Sequence, residues 1–254
     1  MTESTIAAQL YTVRQFTQTR EGIAATFKKV RGIGYEAVQL SALAPLDPAE
    51  LKRMADDSGL FICATHIPYE RMRDDTDAVI AEHRTLECPY VGIGGLPSSY
   101  RSAEGFHRFA KEASEVGRRM RRAGLTFVYH NHSFELEKFG DRAGLRTLYD
   151  ESDPEAFTSE IDTYWIQHGG GDPADWIRSL KGRAHVVHVK DMAVREGKPT
   201  FAEIGEGNLD WPGILDACKE AGTRWHIVEQ DTCPGDPFDS LAISFRNMRG
   251  MGLR

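Results

Sequence analysis

Short apolar, β-branched runs alternate with longer stretches of helical spacing eight times along the chain, and this alternation limits the fold more than any single residue does. Strand, helix and next strand make a parallel βαβ unit. The strand candidates are Ile6–Tyr11, Ala37–Ser41, Phe61–His66, Tyr90–Gly94, Thr126–His132, Thr158–Thr163, Ala184–Lys190 and Arg224–Asp231, with helical stretches in every gap. Asp47-Pro48, Asp172-Pro173 and Asp236-Pro237 each set an N-cap aspartate before a proline, which satisfies orphan amides and pre-sets φ. Gly34, Gly59, Gly124 and Gly222 each fall between a charged helical stretch and the next strand, where a left-handed residue stops a helix. Eight such units close into a (β/α)8 TIM barrel or spread into a doubly wound sheet. No Gly-x-Gly-x-x-Gly follows the first strand, where a dinucleotide site would need it, so the closed barrel is the reading. At 254 residues the length suits one such barrel, and no linker or low-complexity run divides it, which predicts a single domain over 1–254. The longest non-helical connection, Asp191 to Asp210, carries Gly197, Gly205 and Gly207 and is placed to act as a lid.

The net charge of −7 disfavours attraction to a phosphate backbone or an anionic membrane, so neither nucleic acid nor membrane is an expected partner. Cys63, Cys88, Cys218 and Cys233 are scattered without CxxC spacing, which points away from disulfides and thiolate zinc sites. Met1 leads into a polar stretch, Thr2 to Thr5, with no apolar leader pattern, and no apolar run reaches membrane-spanning length. The expected setting is cytoplasmic, and self-association into a homo-oligomer stays open.

In a parallel barrel the reactive mouth lies at the C-terminal ends of the strands, and residues two apart on a strand share a face. Polar residues there are the ones to read. His130 and His132 share a face on strand five, Glu160 and Asp162 on strand six, His188 and Lys190 on strand seven, and Glu229 lies near the end of strand eight. Barrel strands are ordinarily near-continuous apolar runs, and ionisable groups within them cost several kcal/mol unless paired or bound to metal. His130, Asp162, His188 and Glu229 make a mixed N/O set suited to Mn²⁺, Mg²⁺, Co²⁺ or Zn²⁺. His185, Trp225 and His226 stand at strand starts, the stability face, and are expected to be structural. His83 and His107 fall in helical stretches and are expected at the surface, and the Gly169-Gly170-Gly171 run reads as a loop.

Several motifs in order carry a resemblance: Tyr129-His130-Asn131-His132 with Phe134-Glu135, Asp162-Thr163-Tyr164-Trp165, His188-Val189-Lys190-Asp191, Gly205-Glu206-Gly207-Asn208-Leu209-Asp210-Trp211, and Glu229. Over essentially its whole length the chain resembles the xylose isomerase-like barrels described as sugar phosphate isomerases or epimerases, whose relatives include inosose dehydratase and tagatose and psicose epimerases. The resemblance implies a metal held from strands five to eight, with Asp162, His188 and Glu229 matching the last three ligands. The first ligand departs: where many relatives show Glu-x-His, this chain has His130-Asn131-His132, so either His130 replaces the glutamate or Glu135 reaches back from the loop. Trp165 stands where some epimerases carry histidine.

A divalent ion beside a sugar carbonyl would stabilise the enediolate formed when the α proton leaves. His132 is the first choice of base and Glu135 the second, as base or as an orienting group. His66, Lys190, Gln9, Tyr11, Gln39 and Trp165 are the candidate substrate contacts. The implied activity is metal-dependent isomerisation or epimerisation of a sugar, keto-sugar or cyclitol. The alternatives are a lyase or dehydratase on a keto-sugar or keto-glycoside, and a non-catalytic sugar-binding barrel. An endonuclease family shares this barrel, but it would need more metal ligands and a basic face.

Overall fold

The computed structural model describes residues 5–254. Twelve strands follow one another along them: β1 (Ile6–Gln9), β2 (Ala37–Leu40), β3 (Phe61–His66), β4 (Tyr90–Ile93), β5 (Thr126–His130), β6 (Lys138–Phe139), β7 (Arg142–Ala143), β8 (Thr158–Asp162), β9 (Val186–Val189), β10 (Asp191–Arg195), β11 (Lys198–Ala202) and β12 (Trp225–Val228). Eight of them close a barrel in the order β1, β2, β3, β4, β5, β8, β9, β12, every pairing parallel. Helices cover the outside, and the chain is the (β/α)8 barrel its alternation predicts.

Most strands end earlier than the apolar runs do, because the ladder stops where local hydrogen bonds take over. After β1 the Gln9 side chain accepts the Tyr11 amide and starts a 3₁₀ turn over Leu10–Phe16. Asp47, Asp172 and Asp236 each cap a helix that opens with proline. Gly34, Gly59, Gly124 and Gly222 all have positive φ, and Gly222 is left-handed. Two hairpins are additions to the alternation. β6 and β7 pair antiparallel ahead of the helix Gly144–Glu151, and β10 and β11 pair antiparallel within the Asp191 to Asp210 connection.

Two apolar cores result. One lies between barrel and helices and holds most of the aromatic residues, with Phe109, Tyr129 and Phe157 in mutual contact. The other comprises Ala7, Ala37, Cys63, Ala64, Val128, Val186, Trp225 and Ile227. Ala7, Ala37, Ala64, Val128, Val186 and Ile227 each stand two residues before Gln9, Gln39, His66, His130, His188 and Glu229. The same faces therefore carry an apolar plug below and a polar layer above, towards the strand ends. His83 corrects the expectation of a surface residue: it is fully buried, bonded to Thr65 Oγ1 at 2.7 Å and to the Val79 carbonyl at 2.7 Å. One apolar turn of helix behind β3 accepts it because both ring nitrogens are satisfied. His107 is at the surface beside Glu151. No described helix is long and apolar enough to cross a membrane.

Candidate metal and substrate site

His130 ends β5, Asp162 ends β8, His188 is the third residue of β9, and Glu229 follows β12 directly. One possible ligand atom from each lies within 4.8 Å of all the others, and all four residues are buried. His188 Nδ1 is 3.0 Å from Glu229 Oε2 and 3.8 Å from Asp162 Oδ2, while His130 Nε2 is 3.2 Å from Asp162 Oδ2. His130 Nδ1 is buried without a hydrogen-bond partner. Two imidazoles and two carboxylates converge, and one buried nitrogen lacks a partner. That donor set fits a divalent ion of the borderline or hard kind.

Lys190 occupies the same cluster. Its ammonium is 3.0 Å from Asp162 Oδ2, 2.7 Å from Glu229 Oε2 and 3.0 Å from Asp231 Oδ1. Burial opposes charge on all these groups, and the pairing overrides it. Lys190 is held above its usual range by Asp162, Glu229 and Asp231, while Glu229 is held below the carboxylate range by Lys190 and His188. Asp162 is likewise lowered by Lys190 and His130. Asp231 goes the other way, to about 6, because burial and the neighbouring Glu229 and Asp162 charges outweigh the attraction of Lys190. Asp231 was legible as a same-face partner of Glu229, two residues on, yet no motif singled it out.

A second layer lies beneath. The Glu160 carboxylate, fully buried, faces His66 Nε2 at 2.5 Å and His188 Nε2 at 3.2 Å, and accepts from Gln39 Nε2 at 2.7 Å. Burial would raise its pKa, but His188 and His66 hold it below the usual range. Against the opposing effect of burial, Glu160 and Glu229 push His188 up to about 10. Gln9 Nε2 donates to Gln39 Oε1 at 2.8 Å, and Gln39 Oε1 lies 2.6 Å from His188 Nε2. Gln9 and Gln39, expected to touch substrate, are instead buried supports of Glu160 and His188.

Above the cluster is a cavity of about 180 Å³ lined by Tyr11, Ser41, His66, Gly94, His130, His132, Lys190, Glu229 and Asp231. That is below the roughly 300–1,000 Å³ of a drug-sized pocket, and suits a single small ring. The His132 ring meets His130 at 5.0 Å and Trp165 at 5.3 Å. Burial, then the His130 charge, push His132 down to about 3, so its ring is neutral. Trp165 adjoins this wall, and Phe201 from the β10–β11 hairpin stacks on Tyr164 with centroids 4.3 Å apart.

Glu135 is not in the cavity. Its carboxylate is fully buried, accepting the Tyr129 hydroxyl at 2.8 Å and the His132 amide at 2.9 Å, and burial pushes it up to about 7. Tyr129 points away from the lumen because it alternates with His130, and Glu135 follows it to that side. The expectation that Glu135 faces substrate or completes the ligand set is corrected: it fixes the backbone at His132. Asp191 likewise serves the loop, accepting from the amides of Met192, Gly205, Gly207 and Leu209 and from the Trp211 indole.

A closed (β/α)8 barrel with a buried histidine and carboxylate cluster at the C-terminal ends of four adjacent strands defines the class. The chain belongs to the xylose isomerase-like TIM barrel family, whose model matches residues 27–248. It is 24% identical over 250 residues to an inosose dehydratase of Lacticaseibacillus casei, an alignment covering 81% of this chain and 82% of that one. It is 28% identical over 273 residues to the rhizopine catabolism protein MocC of Rhizobium meliloti, covering 88% of this chain and 79% of that one. A sugar phosphate isomerase/epimerase from Parabacteroides distasonis ATCC 8503 shares the fold with a TM-score of 0.82 at 19% identity, covering 99% and 96% of the two chains.

Proposed function

We propose that this chain is a divalent-metal-dependent isomerase or epimerase of a sugar or cyclitol, removing the proton beside a carbonyl and returning it elsewhere. The observation that carries this reading is the convergence of His130, Asp162, His188 and Glu229 under a cavity that also presents His66 and His132. These four residues would hold the ion. When bound, it supplies positive charge where negative charge develops as the proton leaves, on the order of several kcal/mol.

The chain's own groups handle the proton. His132 is neutral, and its Nδ1 is buried without a hydrogen-bond partner, so the ring has a nitrogen not committed to the protein. His66 is anchored through Nε2 on Glu160, and its Nδ1 lies on the side of the cavity-lining Gly94. Imidazoles from two walls allow removal and return at different positions, as an isomerase or epimerase requires. Tyr11 lines the cavity, and Trp165 backs its His132 wall with Phe201 of the β10–β11 hairpin beside it.

A second reading, dehydration, is favoured by Asp231. A carboxyl pushed up to about 6 at the cavity wall is a donor for a departing hydroxyl, and inosose dehydratases are among the relatives. Incubation with keto-sugars and inososes in D₂O with Mn²⁺ separates the two. Solvent deuterium at a retained carbon supports isomerisation or epimerisation, and loss of water supports dehydration. Neither outcome with any of the ions Mn²⁺, Co²⁺, Mg²⁺ or Zn²⁺ would sink the enolisation reading.

A further inference from the structure

His130, Asp162, His188 and Glu229 bring together two imidazole nitrogens and two carboxylate oxygens, and the kind of atom decides which ion such a group prefers. His188 presents Nδ1, 3.0 Å from Glu229 Oε2, because its Nε2 is taken up by Gln39 Oε1 at 2.6 Å and Glu160 Oε1 at 3.2 Å. Acceptors behind a histidine hold its proton on the far nitrogen and leave the near one to ligate. His130 presents Nε2, 3.2 Å from Asp162 Oδ2, and the two imidazole rings lie with centroids 4.5 Å apart. Both histidines stand on barrel strands, where the ladder fixes the backbone from which they reach.

Lys190 makes these nitrogens decisive. Its ammonium lies 3.0 Å from Asp162 Oδ2 and 2.7 Å from Glu229 Oε2, the same oxygens that His130 and His188 face. Any divalent ion must win those oxygens from the ammonium, and that cost is nearly the same whichever ion enters. What separates one ion from another is then the gain from the two imidazoles. Mg²⁺ takes oxygen donors in a near-octahedral shell and gains least. Mn²⁺ stands at the weak end of the divalent series and favours oxygen, whereas Zn²⁺ stands well above it and suits imidazole.

We propose that this site is selective for Zn²⁺ over Mn²⁺ and Mg²⁺, and that His130 is the residue that sets the preference. This rests on the reading of the four residues as ligands. A carboxylate at position 130 would leave one nitrogen among the four donors and move the site towards the harder ions. Changing the charge around the site without changing its donors would move all the ions together.

Calorimetric titration of the metal-free protein with Mn²⁺ and Mg²⁺, and with Zn²⁺ in competition with a chelator of known affinity, tests this. Zn²⁺ is expected to bind at least about a hundredfold more tightly than Mn²⁺, and Mn²⁺ more tightly than Mg²⁺. His130→Glu is expected to shrink the ratio of Zn²⁺ to Mn²⁺ affinity at least about tenfold. Lys190→Met is expected to strengthen binding of all three ions and to leave that ratio within about threefold, since it alters charge and not donors. NMR of the unsubstituted protein loaded with Co²⁺ needs no variant to fold, and should show two exchangeable, paramagnetically shifted ring N–H signals, one from each ligating imidazole. A smaller preference for Zn²⁺, a ratio that follows Lys190→Met instead of His130→Glu, or fewer than two such signals would overturn the proposal. Binding is read without turnover. Failure of deuterium exchange would therefore remove the enolisation reading while leaving the metal preference measurable, loss of the preference would leave exchange intact, and no binding of any ion would remove both.

Discussion

The ammonium of Lys190 lies 2.7 Å from Glu229 Oε2, and both groups are buried. Lys190 also reaches Asp162, so it neutralises two of the carboxylates that the ion site would use. Removing one partner of a buried ion pair leaves the other uncompensated and costs roughly 3–5 kcal/mol. Lys190→Met is therefore expected to destabilise the protein in chelator by about that amount. Because the freed carboxylates attract a cation more strongly, Mn²⁺ should raise the variant's Tm by more than it raises that of the unsubstituted protein. Thermal unfolding with EDTA and with Mn²⁺ reads both effects, and equal metal-induced increments would show that lysine and ion do not share these anions.

Whether His130 takes the place of the glutamate found in many relatives is decided by metal affinity. His130→Ala and Glu229→Gln should each weaken Mn²⁺ binding by more than the roughly 10–100-fold that changes behind a ligand typically cost. Metal content after gel filtration, with calorimetry for the affinity, provides the measurement. Wild-type affinity in His130→Ala would remove it from the ligand set.

Glu160 faces the opposite ring nitrogen of His188 from Glu229. It orients the ligand by facing His188 Nε2 at 3.2 Å while His188 Nδ1 points at Glu229. Glu160→Gln should cost roughly 10–100-fold in Mn²⁺ affinity, the range for outer partners of ligating histidines. A loss as large as that of Glu229→Gln would instead make Glu160 a ligand.

The barrel was legible because its signals are local: proline after an N-cap aspartate, glycine after a helix, and strand-sized apolar runs between them. The cluster was legible for a different reason. Alternation puts His188 with Lys190 and Glu160 with Asp162 on one face, and a polar residue inside a buried strand needs a partner. The partners of the lumen-facing polar groups were not legible. Gln9 and Gln39 share the lumen face and the polar layer of the cluster, and period two does not tell that their amides are taken up by each other, Glu160 and His188. Glu135 was misplaced because it follows β5 in a 3₁₀ turn, where strand alternation no longer predicts direction. His83 was missed because one histidine on a helix reads as surface until its partner Thr65, on another element, is known.

Asp191 ties down the segment from Gly205 to Trp211. Its carboxylate accepts the Gly205 amide at 2.8 Å and the Trp211 indole at 2.6 Å, with three further amides around it. Each buried donor left unpaired costs about 1–3 kcal/mol, so Asp191→Ala should lose roughly 3 kcal/mol or more. Hydrogen exchange should quicken first at the amides of Gly205, Gly207 and Leu209. Unchanged protection there would show that the loop is held by the β10–β11 hairpin instead.

His226, at the opposite end of the barrel from the site, supplies a pH dependence independent of any ion. Burial pushes it down to about 4, against a smaller opposing effect of the Thr5 backbone. In the unfolded chain a histidine takes up its proton near pH 6.5. Between those values the unfolded state binds more protons, so this contribution is complete above about pH 6.5 and is lost progressively as the pH falls towards 4. The amount at stake is about 3 kcal/mol. His226→Gln removes the titration, so denaturant-melt stability should fall less steeply between pH 6.5 and pH 4 than in the unsubstituted protein, whatever the substitution costs at neutral pH. Parallel stability profiles would assign acid sensitivity in that window to other groups, with the buried His83, whose pKa is also lowered by burial, next in line.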